Sequence, residues 1–529
     1  MRAVLCVVWT AWVGSVAWGA AIGYGGDGSF VAAGKPPADF DAAAGRNVLW
    51  KAQLPNWCLG APIVARDRVF VMSEPDRDFD FPTLLCLSAA DGKILWRTEI
   101  DHLGAIPADQ RQAAGEAWKA HLAALRELYR VRHEYRSADD PEAALKALAD
   151  RGFVQGKGGI DWKERADVRL ARVFNRAGLY FDVWHLGGLS RIGYAFPTPV
   201  TDGSRIYVAT GLHVYACFDL EGNNLWTVQH RGQGSSQAGY GGDDFCKNAR
   251  SPLLHGDLLI SDVGNLVRGI DKNTGKLLWS HKLPGHEITS PVILRIDGKD
   301  ILLTYGPHAF ILPEGAPLRV EGWKNNGASY LVRSDSPDTV FVTGGGEHGG
   351  WENKGNCSEP PPAAVRFSLG DGVLKARVLW AGVDGKQESE HTGMVYHNGR
   401  LYHPHGVILD ADSGKVIKGK ARGRGSERAT PQTRHMLWVA DGRVYGLREV
   451  KGRDAQPTVG SLEVYDLEGK RLGEYALPVP VAEGERRDRI IETVGATRWG
   501  FSYGSPFLIH AGRIYIRGND LLWCIGSRD

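Results

Sequence analysis

Short runs of β-branched and aromatic residues, broken by Asp, Asn, Gly or Ser, recur along this chain. Each run alternates or is wholly apolar for four to six positions, then stops at a polar turn. That is the pattern of paired strands joined by tight turns. Eight such pairs can be read: Ala61–Val71, Thr198–Val208, Ser251–Ile260, Ser290–Leu303, Tyr330–Val342, Gly393–Tyr402, Leu437–Leu447 and Ser505–Ile516.

A second phrase follows most of these hairpins. "CLSAADGKILWRTEI" (Cys86–Ile100) and "GIDKNTGKLLWSHKL" (Gly269–Leu283) are two copies, and aligning Gly92 with Gly275 also brings Trp96 onto Trp279. Further copies are "FDLEGNNLW" (Phe218–Trp226), "LDADSGKVIK" (Leu409–Lys418) and "YDLEGKRLG" (Tyr465–Gly473). A weaker copy spans Ser368–Trp380, and Phe310–Trp323 is degenerate. Asp bonds its own backbone and Gly accepts positive φ, so the phrase makes a turn that feeds another strand. Two hairpins per unit predict four strands per unit, and eight units predict an all-β, eight-bladed β-propeller. The last unit stops at "NDLLWCIGSRD" without a fourth strand, while "NVLWKAQL" (Asn47–Leu54) is an orphan ahead of the first hairpin. The N-terminal strand is expected to complete the last blade and close the ring, which leaves no sheet edge bare.

Between the first two hairpins the pattern changes. Trp118, Leu122, Leu125 and Tyr129 fall on one helical face, Asp140-Pro141 begins a second helix, and Lys163–Arg176 reads as a third. Residues 101–189 are therefore expected to be a mainly α-helical insertion in blade one. Propeller would then occupy residues 46–100 and 190–529, after a lead-in over residues 22–45.

The repeat with Asp271, Thr274, Gly275 and Trp279 resembles the tryptophan-docking motif of the PQQ-like, quinoprotein-type propellers. In that family the Trp packs on the neighbouring blade, a role the resemblance implies for Trp96, Trp226, Trp279 and Trp380. The same blades occur in enzymes using PQQ and Ca²⁺ and in non-catalytic scaffolds for outer-membrane assembly. The enzymes place a vicinal disulfide against the quinone; this sequence has no adjacent cysteines and no CxxCH haem site. The reading is a non-catalytic binding or scaffold protein without cofactor, with a PQQ/Ca-dependent oxidoreductase as the alternative.

Charge narrows the partners. The 63 basic and 61 acidic residues nearly cancel, which disfavours nucleic acid. An envelope protein or glycan is the expected partner of a monomeric chain. The start, "MRAVLCVVWTAWVGSVAWGAAIG", has one Arg, an apolar run and small residues, the order of a secretory signal. Cleavage after Gly19 or Ala21 fits; an uncleaved anchor is the other reading, and the compartment is periplasmic or secreted. Six cysteines follow the signal, and buried free thiols are as compatible with them as disulfides.

Candidate site residues are those just before each inner strand, at the mouth of the central channel. They include Trp57, Asn248, Arg250, His286, Glu287, Glu390, His391 and Tyr503, with Cys58, Tyr194 and His435 on the same rim. The pairs His286/Glu287 and Glu390/His391 could hold a metal or move protons, though their spacing is not diagnostic. No catalytic residue and no metal site is assigned.

Overall fold

The computed structural model describes residues 23, 25–138, 140, 143, 146–147, 155–156, 159–160, 194–230, 251–261, 266–283, 291–304, 308–323, 331–342, 362–382, 393–404, 406–419, 428–431, 433, 436–450, 459–480, 483–494, 507–518 and 520–527. Among these residues the fold is all-β with few helices, and the sheets are four-stranded units in a propeller-like arrangement.

The first unit shows the rule. After β1 (Val31–Ala32) and β2 (Val48–Gln53), strands β3 (Ile63–Ala65), β4 (Arg68–Ser73), β5 (Thr83–Ser88) and β6 (Ile94–Glu99) pair antiparallel in chain order. The three inner strands are almost wholly buried, whereas β6 is exposed or half-buried throughout. Near-continuous apolar runs therefore stand inside and mixed runs outside. The first strands of neighbouring units lie against one another, as β3 does against Val200–Thr201. The last unit has three strands of its own, Phe507–His510, Arg513–Gly518 and Leu521–Ile525; β2 pairs with the third, setting Ala52 opposite Leu522.

Tryptophan joins the units. Trp96 Nε1 donates to the Leu220 carbonyl of the next unit at 3.0 Å, and Trp226 does the same to Lys272 at 3.0 Å. Trp279 reaches Pro313 (2.9 Å), Trp380 reaches Ala411 (2.8 Å), and Trp50 on β2 reaches Ala89 (2.9 Å). Each indole also lies flat on the turn glycine of that neighbour. A Cβ on Gly275 would stand 2.8 Å from the Trp226 ring, and the glycine's φ of 74° is itself costly for other residues. The strand partner of each Trp must be small as well. Trp96 faces Cys86, Trp226 faces Cys217, Trp50 faces Cys524, Trp279 faces Gly269 and Trp380 faces Ala364, and in each case the register shifts beside that pair. A bulge there turns the indole out of its own sheet. Three cysteines are thus packing residues, and all four described cysteines are buried and free.

Of the junctions without a docked Trp, two show other means. The outer strand Ala316–Glu321 pairs in parallel with Val373–Ala381, fusing two units into one eight-stranded sheet. Where the outer strand is Val416–Lys418 and carries no Trp, Lys418 Nζ donates to the Glu468 carbonyl and Arg400 to that of Leu467. Beside it the buried Glu463 carboxylate has Arg428, Arg448 and Arg471 each at 3.6 Å.

The segment after β6 forms α1 (Arg111–Ser137), a single helix of 27 residues that buries Trp118 and Leu122. It packs against α2 (Gly484–Val494). The face expected around Leu125 and Tyr129, most of the second helix and Lys163–Arg176 lie outside the described side chains.

If docking rests on the indole, Trp226→Ala should lower the unfolding free energy by about 3 kcal/mol, while Leu225→Ala, beside it and exposed, should change it by less than about 0.5 kcal/mol. Urea unfolding of both variants checks this. Equal losses would contradict it.

Candidate functional site

Gly23 and residues 25–32 pack against the inner strands of several units. Gly25, Gly26 and Gly28 have φ of 76°, 82° and 84°, conformations open to glycine. They fold the segment tightly, with the Gly23 N–H donating to the Gly26 carbonyl at 2.8 Å. Phe30 then packs edge-on against Trp438 (5.3 Å between rings), and its carbonyl accepts the Val439 N–H at 2.9 Å. β1 continues as a parallel partner of the inner strand Trp438–Ala440, with Val31 opposite Val439. Further on, Gly34 meets Gly512 and the Pro36 carbonyl accepts from Tyr445. Among the described residues, a cavity of ≈ 10 Å³ lies beside the segment, lined by Gly23, Phe30, Pro62, Thr198, Trp438 and Phe507. That is room for about one water molecule.

Because β1 runs parallel to an inner strand, Gly23 stands at the end where inner strands begin. The same end carries the connection from β4 to β5 and both helices. Trp118 of α1 stacks on Phe81 (4.9 Å), Phe81 stacks on His102 (4.8 Å), and Trp118 Nε1 donates to the Asp80 carbonyl at 2.6 Å. Arg126 donates to the Asp76 carbonyl at 2.8 Å. Arg97 pairs with Asp76 and Asp78 and lies 4.3 Å from the Phe79 ring centre. On the α2 side, Arg486 grips Asp520 with two bonds of 2.9 and 3.0 Å, a fork geometry matched to a carboxylate.

Beneath the helices three charged or ionisable groups are buried together. Glu74 accepts the Ala195 N–H at 2.6 Å, Arg517 donates to the Met72 carbonyl at 2.7 Å, and the Cys58 thiol donates to the Ala195 carbonyl at 3.0 Å. Burial raises Glu74 to about 7 against the pull of two backbone N–H groups and Arg517. Burial likewise pushes Cys58 up to about 11, so its thiol is protonated at neutral pH and a poor nucleophile. His102 is lowered to about 4 by burial. The cluster ties the first and last units to Ala195, at the entry of the second. It is built as a fastening, with each described group bonded to backbone.

Of the mouth residues read from the sequence, Trp57 is buried in the core and 6% exposed. Cys58 and Tyr194 are buried too. Asn248, Arg250, His286, Glu287, Glu390, His391, Tyr503 and His435 lie outside the described residues. Among the described residues no group of His, Cys, Asp and Glu could hold a metal, and no helix is long and apolar enough to cross a membrane. Sequence reasoning missed Glu74, Arg517 and the axial segment. The glycine run "GYGGDGSF" before Val31 was the available signal for the last.

Tryptophan-docked four-stranded units of this kind define a PQQ-like β-propeller protein. The chain belongs to the family described as outer membrane protein assembly factor BamB, whose model matches residues 6–127 and 158–307, more than half of its length. No curated protein matches it significantly. BamB from Moraxella catarrhalis is 13% identical over 62% of this chain and 80% of that one, with a TM-score of 0.34. Quinohemoprotein alcohol dehydrogenase from Comamonas testosteroni is 15% identical over 61% of this chain and 63% of that one (TM-score 0.38). A europium-containing methanol dehydrogenase is 11% identical over 94% and 81% (TM-score 0.37). At these scores the three structures add nothing to the family assignment.

The buried cluster predicts a pH dependence. Glu74 is raised from 4.5 to about 7, so the stability it contributes is full below 4.5 and lost as pH rises toward 7. His102 is lowered from 6.5 to about 4, so its contribution is full above 6.5 and lost as pH falls toward 4. The two oppose each other, each by up to about 3 kcal/mol. Glu74→Gln should therefore lose stability more steeply than the parent between pH 7 and 5, read as the urea midpoint. Parallel profiles would show that Glu74 does not titrate in this window.

Proposed function

We propose that this chain is an exported, non-catalytic binding or scaffold protein of the cell envelope. Its eight blades close through β2, its first blade carries the helical insertion, and residues 1–21 act as the export signal. It works as a monomer in the periplasm or as a secreted protein. One observation carries the reading: Gly23 and residues 25–32 pack along the inner strands, where a propeller offers a small ligand its deepest site, and the cavity beside them among the described residues is ≈ 10 Å³. That cavity is far too small for a quinone, and the sequence offers no adjacent cysteines to lie against one. Binding is then left to the surface.

The surface in question is the end that carries α1 and α2. Glu116, Lys119 and Arg130 on α1 and Glu485, Arg487 and Asp488 on α2 are exposed there, a mixed-charge surface suited to an envelope protein or glycan. The rim residues Asn248, Arg250, His286, Glu287, Glu390, His391 and Tyr503 are proposed to belong to the same contact. The near-balanced charge, +2 overall, gives no footing for nucleic acid.

Two measurements test this. Titration of the purified protein with PQQ and Ca²⁺ should give no saturable absorbance change up to high micromolar cofactor; saturable binding with alcohol oxidation would overturn the scaffold reading. Co-purification from envelope extracts should lose partner about tenfold on the paired change Lys119→Glu with Glu485→Lys, with folding unaltered. Undiminished recovery would move the contact elsewhere.

A further inference from the structure

We propose that residues 30–46 are a latch closing the junction between the last unit and the one before it, and that this junction parts more readily than the tryptophan-docked ones. The outer strand of the penultimate unit, Arg471–Leu477, has no indole to dock. By register Gly473 stands where other units carry Trp. It faces Val464, and the pairing shifts beside that pair as it does beside Cys86 and Trp96. A Cβ on Gly473 would collide with the Tyr475 hydroxyl. The last unit also lacks a turn of its own to dock against. Its third strand, Leu521–Ile525, pairs with β2, and the two are not joined in sequence.

The segment ahead of β2 supplies both missing parts. Asp41–Arg46 repeats the docking turn. The Asp41 N–H donates to the Arg46 carbonyl at 2.9 Å, as that of Asp271 does to Lys276 at 2.8 Å. Asp41 Oδ1 accepts the N–H groups of Ala43 and Ala44 at 3.0 and 2.9 Å, as Asp271 Oδ1 accepts those of Asn273 and Thr274 at 2.8 and 2.9 Å. Gly45 and Gly275 share a φ of 74°. Yet no indole lies on Gly45: among the described residues nothing stands within 4 Å of a Cβ placed there. The upstream residues take the indole's place. From Phe30, against Trp438, the chain runs outward along the penultimate unit. Gly34 packs on Gly512 of the last unit, and the Pro36 carbonyl accepts the Tyr445 hydroxyl at 3.3 Å. Phe40, 3% exposed, ends the run with its ring 5.1 Å from that of Tyr475, on the strand that lacks Trp. Beyond the two residues of β1 this segment is held by packing and single hydrogen bonds rather than by a ladder. The bond from Tyr445 to Pro36 spans 409 residues, and contacts that close so long a loop carry a large entropy cost. A junction fastened through them forms late and opens early.

Thiols can report this, since Cys86 and Cys217 lie buried opposite Trp96 and Trp226 at two docked junctions. Val464→Cys sets a thiol at the same register position of the latched junction. The full chain is treated with a thiol reagent under native conditions, and labelling at each position is followed by peptide mass. The thiol of Val464→Cys is expected to label at least about tenfold faster than Cys217, because labelling of a buried group follows local opening. Adding Phe40→Ala should speed it by a further factor of about ten and leave Cys86 and Cys217 within about twofold. Adding Trp226→Ala instead should speed Cys217 alone. Should Phe40→Ala not fold, Phe40→Leu keeps the test open: it should give the same order of rates with a rise of about threefold. A common rise at all three thiols would make Phe40 an ordinary core residue and overturn the latch. So would a Val464→Cys thiol that labels no faster than Cys217 and ignores Phe40.

Discussion

The contact on which the structure depends is an indole laid across the turn of the next sheet. It needs three things at once. The Trp must leave its own sheet, which the bulge allows. The residue opposite must be small, which Cys86, Cys217, Gly269, Ala364 and Cys524 provide. The neighbouring turn must present a bare backbone, which Gly92, Gly222, Gly275, Gly315 and Gly414 provide. A carbonyl of that turn then accepts the indole N–H, so a large apolar area and a satisfied polar group come with one side chain.

Where this contact is missing, the fold substitutes others, and the substitutes are more polar or more extended. Between Ala316–Glu321 and Val373–Ala381 the backbones pair directly. At the junction after Val416–Lys418, lysine and arginine reach carbonyls, and a buried glutamate sits among three arginines. Such charged contacts hold only while every member is paired, since an isolated buried charge is strongly unfavourable.

Much of this was legible in the sequence, because repetition amplifies a weak signal. One polar turn closed by Gly and followed by an apolar pair is a short phrase; several variants at the same place in successive hairpins are an architecture. The orphan strand at Asn47–Leu54 could be matched to an incomplete last unit for the same reason, and β2 pairs there. The roles of Cys86, Cys217 and Cys524 were not legible, since nothing in a lone cysteine says that it faces an indole. Nor were Glu74 and Arg517, whose meeting depends on residues 443 positions apart. The rim residues were chosen from their place before inner strands, and of these Trp57, Cys58 and Tyr194 turn inward to packing rather than outward to solvent.

The segment of residues 25–32 bears most directly on the proposed function, for it packs against the inner strands. Phe30, Trp438 and Phe507 make that region continuous with the largest hydrophobic cluster of the fold. The decisive measurement is a cross-link between Val31 and Val439, which are register partners on adjacent parallel strands. With both replaced by cysteine, strand neighbours fall within disulfide reach. If the segment packs as described, the bond forms in the folded protein under mild oxidation, closing one loop without loss of structure. If the two thiols stay free while the protein remains folded, the segment lies elsewhere, and the case for a scaffold over a cofactor-binding ring falls with it.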